Sequence, residues 1–357
     1  SAGGGTLAWV DEGGALHVGP ESAGAVPGPV AYGRGGEIPT VTDCNVTLGY
    51  LGNRDEVKGH LTLDVKAAER AIQERLAKPL DLSVDSAALG ALKVVDIKMA
   101  EAVRALATSK GLDLREFTLV AFGGAGPLHA SRIMRELNLK QVLIPARPGV
   151  TSALGLLQAD VKHEFISTKP QSLAQVSAET VRDIFNGLEE DAFAKFDEEG
   201  FPRSSVMLER YMDLRYQGQG YELSVAVDVD GMDVQQVRSD FDELHAKKFG
   251  HAAGSQPVEV MSYRLIGRAA PDRDQSVFDV LPISGIKGLE ARVRSGIFDV
   301  DGSPEYFEML VMQRDMMEMN RTYEGPLVIE QSDTTTLVIP RQIAELDVQG
   351  NIIIRDK

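Results

Sequence analysis

The sequence predicts an α/β lobe followed by α+β domains, and three observations carry the prediction. Residues 117–122, with almost no polar side chain, lead through Gly123-Gly124-Ala125-Gly126-Pro127 into a helically spaced stretch, residues 128–137, and then into a second apolar run at 141–144. Strand, loop, helix and strand in that order form the minimal crossover of a parallel sheet. Two amphipathic helices precede this unit, and beyond residue 165 charged amphipathic helices are interspersed with strands of alternating polarity, the texture of α+β domains.

Taken in order, Thr6 to Val10 and Leu16 to Val18 flank Asp11-Glu12-Gly13-Gly14 and read as a hairpin. Ordered loop is expected from there to Thr42, because 14 of the 35 glycines fall in the first 60 residues and mark tight turns rather than regular structure. Residues 64–76 place Val65, Ala68, Ile72 and Leu76 at helical spacing, and residues 86–109 repeat this with Leu89, Leu92, Val95 and Met99. The run at 117–122 reads as a strand buried on both faces. Residues 151–160 read as a helix of small residues. Further on, 177–199 and 234–248 read as helices, and 211–216, 221–229, 258–268, 327–330, 335–339 and 351–355 as strands. The predicted domains are 1–165, 166–275 and 276–357, with Pro271-Asp272-Arg273-Asp274 as a linker.

Composition narrows the function classes. Hydrophobic residues make up 43% and charged residues 25%, which excludes a disordered or fibrous chain. The net charge of -16 has the wrong sign for neutralising nucleic-acid phosphates. No apolar run is long enough to cross a bilayer, and Cys44 is the only cysteine, so no intrachain disulfide forms and a cytoplasmic location is expected. The chain opens on Ser1, inside what reads as a functional loop, so a fragment or a processed chain is expected.

Chemistry concentrates at two glycine loops. Gly123, Gly124, Ala125 and Gly126 lie where a buried strand turns into a helix, which aims backbone N–H groups at an anion; a nucleotide is the natural guest. The spacing is neither GxGxxG nor GxxxxGK[ST], and a purely steric use of these glycines has equal standing. Gly3, Gly4, Gly5 and Thr6 form a second candidate, a nest of N–H groups plus a hydroxyl able to meet a phosphate or its metal, although taken alone the segment reads at least as well as a flexible terminus. Two such loops on α/β elements point the same way. His129, in the first turn of the following helix, reads either as a neutral ring facing a ligand or as a packing histidine. Asp43 reads as a helix cap or as a functional carboxylate. Arg147 lies at a strand's carboxyl end, where its guanidinium suits a phosphate or a salt bridge. The aromatic and Arg cluster at 210–223 reads mainly as cross-strand packing. No zinc-ligand spacing is present.

Several longer runs carry a family resemblance: Gly3-Gly4-Gly5-Thr6-Leu7-Ala8-Trp9-Val10-Asp11, Tyr32-Gly33-Arg34-Gly35-Gly36, Pro39-Thr40-Val41-Thr42-Asp43, Ala121 to Ala130, Arg147 to Gly155, and Gly325 to Glu330. In these the chain closely resembles the A-type members of the hydantoinase/oxoprolinase family. The resemblance implies an actin-like (ribonuclease H-like) ATPase lobe and an ATP- and Mg2+-using enzyme. Such an enzyme phosphorylates a poorly reactive amide or enolic oxygen and so opens a cyclic amide: a hydantoin, 5-oxoproline or related lactam. A ketone carboxylase subunit is the alternative, and a partner-binding module without catalysis is a third reading. A B-type subunit is the implied partner, with self-association also open. Carried over, Gly3 to Thr6 lie by the phosphates and Gly123, Gly124 and Gly126 near adenosine, with Asp43 and His129 as catalytic candidates and Ala125 and Arg147 at the nucleotide. The family's upstream glycine motifs are not in this sequence, so the resemblance implies weak or no ATP binding by the isolated chain. Cys44 stands where a small residue such as Ala is expected.

Overall fold

The computed structural model describes residues 3–52, 62–272 and 291–357. They form two units, Ser1–Leu154 with Phe278–Lys357, and Gly155–Val277.

The first unit opens with the expected hairpin, β1 (Thr6–Val10) and β2 (Leu16–Ser22), antiparallel with Val10 opposite Leu16. Asp11 closes its turn by accepting from the Gly13 and Ala15 amides. The glycine-rich stretch that follows contains more than loop: a 3-10 turn at Val30–Tyr32 and the helix α1 (Val41–Thr47). Next comes α2 (Val65–Ile72), capped by Asp64, which passes through a π turn at Gln73–Ala77 into the short α3 (Lys78–Leu80). Ser83 caps the long α4 (Val84–Ser109), whose Ala87, Ala88, Ala91, Leu92 and Val95 are buried in a core shared with the hairpin and α1. Small residues on that stripe let the helix approach closely.

The crossover unit is present as β3 (Leu119–Val120), α5 (Gly126–Glu136) and β4 (Val142–Ile144), with Leu119 parallel to Val142. The sequence expects residues 117–122 to be buried on both faces. They are not: β3 is two residues long and forms the edge of its sheet, leaving Phe117, Val120 and Phe122 exposed. An edge strand has a neighbour on one side only, and apolar composition cannot tell an edge from a centre. α6 (Thr151–Gln158) follows at the border of the two units.

The second unit is an antiparallel sheet with two helices. β5 (Val161–Ser172), α7 (Ala178–Glu198), β6 (Val206–Tyr216), β7 (Leu223–Ala226), α8 (Val234–Phe249) and β8 (Val258–Ala269) assemble in the strand order β5-β8-β6-β7. Phe185, Tyr216, Phe241 and Tyr263 fill its core. Gly267 is required here, since a Cβ would stand 2.5 Å from the Phe196 ring.

The C-terminal strands correct the predicted third domain, 276–357. β9 (Arg292–Val300), β10 (Ser303–Gln313), β12 (Leu327–Glu330) and β13 (Thr335–Val338) make one sheet, while β11 (Thr322–Glu324), β14 (Gln342–Leu346) and β15 (Ile352–Asp356) join β4 and β3 in the order β11-β14-β15-β4-β3. Ile352 pairs with Ile144 across two hundred residues of sequence, so this segment completes the first unit rather than standing apart. Part of the predicted linker, residues 273 and 274, lies outside the described residues.

One close approach ties the N-terminal and C-terminal parts of this unit together. The Ile297 amide donates to the Leu48 carbonyl at 3.1 Å, and the Tyr50 hydroxyl donates to the Ile297 carbonyl. Gly49 between them has φ +79°, and a Cβ there would lie 2.2 Å from the Ser295 carbonyl oxygen. Gly49→Ala is therefore expected to cost about 2–3 kcal/mol, from left-handed strain plus backbone displacement, read as a lower midpoint in urea unfolding.

Candidate functional site

The two glycine loops, more than a hundred residues apart in sequence, line one cavity of about 380 Å³. Gly4 comes from the first loop and Gly124 and Ala125 from the second; Thr42 and Asn45 come from α1, and Ser332, Asp333, Thr334 and Thr335 from the turn into β13.

The Gly3–Thr6 loop closes on itself. Thr6 donates its amide to the Gly3 carbonyl at 3.0 Å, and its hydroxyl accepts from the Gly3 amide at 2.9 Å. Gly4 packs against α1: its carbonyl accepts from the Thr42 amide at 2.8 Å, and a Cβ on Gly4 would lie 2.7 Å from the Thr42 hydroxyl. The second loop is held from two sides. The Gly123 amide donates to the Pro148 carbonyl at 2.8 Å, and the Thr334 hydroxyl is shared between the Gly123 and Gly124 carbonyls at 3.0 and 3.1 Å. The adjoining Asp333 accepts from the Gly149 amide at 2.9 Å. Behind it the buried Arg314 fixes the strand end, donating to Gln331 and to the Pro145 and Gly350 carbonyls. Burial pushes the Arg314 guanidinium down to about 10, which leaves it charged at neutral pH.

Among the described residues no side chain caps the N-terminus of α5. The positive end of its dipole is therefore open to an anion, although within the first turn Pro127 has no N–H and the Leu128 amide donates to the Ala125 carbonyl at 3.1 Å. Asn45 also lines the cavity. Its Nδ2 donates to the Val41 carbonyl at 2.8 Å, which fixes the amide orientation because a carbonyl only accepts. Oδ1, buried, then has no partner among the described residues.

The predicted side chains fall in different places. Asp43 is fully buried, and its carboxylate accepts from the Val30, Ala31 and Thr40 amides and from the Thr40 hydroxyl at 2.7 to 3.2 Å. It completes a capping box with Thr40, acting from the third residue of α1 rather than as the residue before it. The geometry gives it a positioning part, holding the 3-10 turn against the helix that carries Thr42 and Asn45, and not contact with a ligand. His129 is likewise buried and outside the cavity lining; its Nδ1 meets Asp96 at 2.6 Å, and its Nε2 has no partner among the described residues. Arg132, one turn on, places Nε 2.5 Å from the other Asp96 oxygen. Burial raises the Asp96 carboxyl, but Arg132 and His129 outweigh it and hold the group below its ordinary value. Arg147 precedes the 3-10 turn Pro148–Val150, half-buried and outside the lining, with its carbonyl accepting from Thr151. Cys44 is buried, and burial pushes its thiol up, so it behaves as a small apolar side chain.

Sequence reasoning missed Thr42, Asn45 and the 332–335 turn. The one available signal was the run Ser332-Asp333-Thr334-Thr335-Thr336, an unusual density of hydroxyls beside a carboxylate.

The chain is similar to known proteins along nearly its whole length. A family model described as Hydantoinase/oxoprolinase matches residues 1–165, and one described as Hydantoinase/oxoprolinase C-terminal domain matches 168–349. The alpha subunit of caprolactamase from Pseudomonas jessenii is 33% identical over 97% of this chain and 50% of its own length. The crystal structure of that organism's ATP-dependent caprolactamase superposes with a TM-score of 0.78 at 31% identity, over 99% of this chain and 52% of that one. 5-Oxoprolinase of Saccharomyces cerevisiae is 29% identical over 98% of this chain and 28% of its own length. The gamma subunit of acetophenone carboxylase from Aromatoleum aromaticum is 28% identical over 99% of this chain and 50% of its own. The chain thus spans about half or less of the length of these relatives. With both models matched in succession along nearly its whole length, the chain belongs to the hydantoinase/oxoprolinase family.

Proposed function

We propose that this chain supplies the nucleotide-binding part of an ATP-dependent enzyme that opens a cyclic amide, working with a second subunit. The observation that carries the reading is the meeting of Gly4 with Gly124 and Ala125 at one cavity, beside a helix N-terminus that no side chain among the described residues caps. The relatives that share this framework include an ATP-dependent caprolactamase and a 5-oxoprolinase.

The cavity fits the group. A Cβ on Gly4 would collide with Thr42, so the first loop packs tightly on α1 at the cavity wall, and Ala125, at the N-terminus of α5, lines the same space. ATP, when bound, supplies the phosphoryl group that converts the amide oxygen into a leaving group. Gly4 and the N-terminal end of α5 would orient the phosphates, the positive end of the helix dipole favouring the charge that develops on the transferred group. Thr334 and the Pro148 carbonyl keep the 123–126 loop in that pose. Asp43 and His129 act one layer behind, fixing α1 and α5. Mg2+ would enter with the phosphates, its ordinary mode at phosphoryl-transfer sites.

A carboxylase relative keeps a second reading open, activation of a ketone for carboxylation. Phosphate release by the assembled enzyme separates the two. The expected result is stimulation by a lactam, a hydantoin or 5-oxoproline. Stimulation by a ketone with bicarbonate instead would transfer the assignment to carboxylation, and no stimulation by either would end both readings.

A further inference from the structure

We propose that the bare edge of β3 takes a further β-strand, an extended apolar segment of the same subunit that lies outside these 357 residues. The inference goes beyond the nucleotide reading and does not depend on it.

The backbone sets the geometry. The Leu119 and Ala121 amides donate to the Gln141 and Leu143 carbonyls, on the β4 side, at 3.2 and 3.0 Å. Strand alternation therefore turns the Val120 amide and carbonyl the other way, to an edge with no neighbouring strand among the described residues.

The side chains set the chemistry. Ala121, with Leu119 beside it, packs into the core shared with α5, together with Val142, Ile144, Ile352 and Ile354. Val120, Leu143 and Ile353 stand in register across three strands on the opposite face, none of them fully buried, and Val120 is 49% exposed. A parallel pair such as β3 and β4 is ordinarily covered on both faces. The two edges of this sheet also differ. β11, at the far edge, carries Thr322 and Glu324, polar groups of the kind that keep an edge from pairing, whereas Leu119-Val120-Ala121-Phe122 has no charge and no proline. An edge composed like a central strand calls for a neighbour.

Length decides which neighbour. The chain spans 50% of the caprolactamase alpha subunit and 50% of the acetophenone carboxylase gamma subunit, so subunits of this family carry as much polypeptide again from which a strand can come. A second copy of the chain suits the edge less well. β3 is two residues long and turns one amide outward, too short a ladder to hold two free molecules together, while a strand tethered in the same polypeptide needs few bonds because its effective concentration is high.

Two measurements on the assembled enzyme test this. Residue-resolved hydrogen exchange compares the Val120 amide with those of Leu119 and Ala121, which are already bonded on the β4 side. Val120 is expected to exchange within about tenfold of its neighbours, and faster exchange than that would overturn the proposal. The second measurement identifies the neighbour. Val120→p-benzoylphenylalanine places a photoreactive group on the exposed face, and mass spectrometry of the cross-linked peptide is expected to find a segment of the same subunit outside residues 1–357. A cross-link to β3 of a second copy, to a different subunit or to residues 1–357 themselves would overturn it, and so would no cross-link at all. Should this variant not fold, the exchange rates of the unaltered enzyme decide.

Discussion

Replacing Asp96 by alanine is expected to cost about 3–5 kcal/mol, among the largest single-residue losses in the first unit. Asp96 is 4% exposed on α4 and reaches across to α5, giving one oxygen to His129 and the other to Arg132. Arg132 is the reason for the size of the effect. Both of its Nη atoms are buried and have no hydrogen-bond partner among the described residues, so Asp96 is the charge that compensates it. Removing the carboxylate leaves a guanidinium that cannot shed its proton inside the fold. Urea unfolding of Asp96→Ala against the unaltered chain measures the loss; a change below about 1 kcal/mol would show that the pair is not coupled as its geometry indicates. The pH dependence has a definite sign. Because the folded Asp96 carboxyl sits below its ordinary value of 3.8, its stabilisation is fully present above that value and is lost as the pH falls through the lower, folded one. Asp96→Ala should lack this acid-limb component. Since α5 brings its N-terminus to the cavity, the same variant tests whether the helix is held from behind.

Legibility in the sequence followed the range of the interactions involved. The β1–β2 hairpin, α4, α7 and α8 were visible because local periodicity and turn chemistry specify them. The two glycine loops were visible as candidates because each stands at the edge of a regular element, though a steric use of their glycines was equally open. Partnership was not visible. Nothing near residue 117 says that β3 ends as an edge, and nothing near 352 says that β15 pairs with β4; both facts belong to contacts spanning the chain. For the same reason the third wall of the cavity, 332–335, is not legible as such: Thr334 reaches the Gly123 and Gly124 carbonyls through contacts that span two hundred residues. Asp43 shows a different limit. Spacing identified a carboxylate that could cap or react, and only the donors converging on it, two of them from the Val30–Tyr32 turn, decide which use the geometry favours.

That decision can be put to experiment. A carboxylate that touched the reacting atoms would tolerate Asp43→Asn structurally and lose turnover, giving a folded, inactive protein with an ordinary melting point. The geometry predicts the opposite order of events. Asparagine presents an NH2 where one carboxylate oxygen now meets N–H donors, so at least one of the Val30, Ala31 and Thr40 amides is left facing another donor. Alanine leaves all of them, with the Thr40 hydroxyl, without their acceptor. At about 1–3 kcal/mol for each buried donor left unsatisfied, Asp43→Ala is expected to lose on the order of 4 kcal/mol and Asp43→Asn about half of that. Activity in the assembled enzyme should fall in proportion to the folded fraction and recover at lower temperature, where the fold is regained. Nucleotide affinity should weaken alongside, because Thr42 and Asn45 ride on the helix that Asp43 holds. A variant with an unchanged unfolding midpoint and turnover reduced a thousandfold would return Asp43 to the chemistry and make its burial the thing to explain.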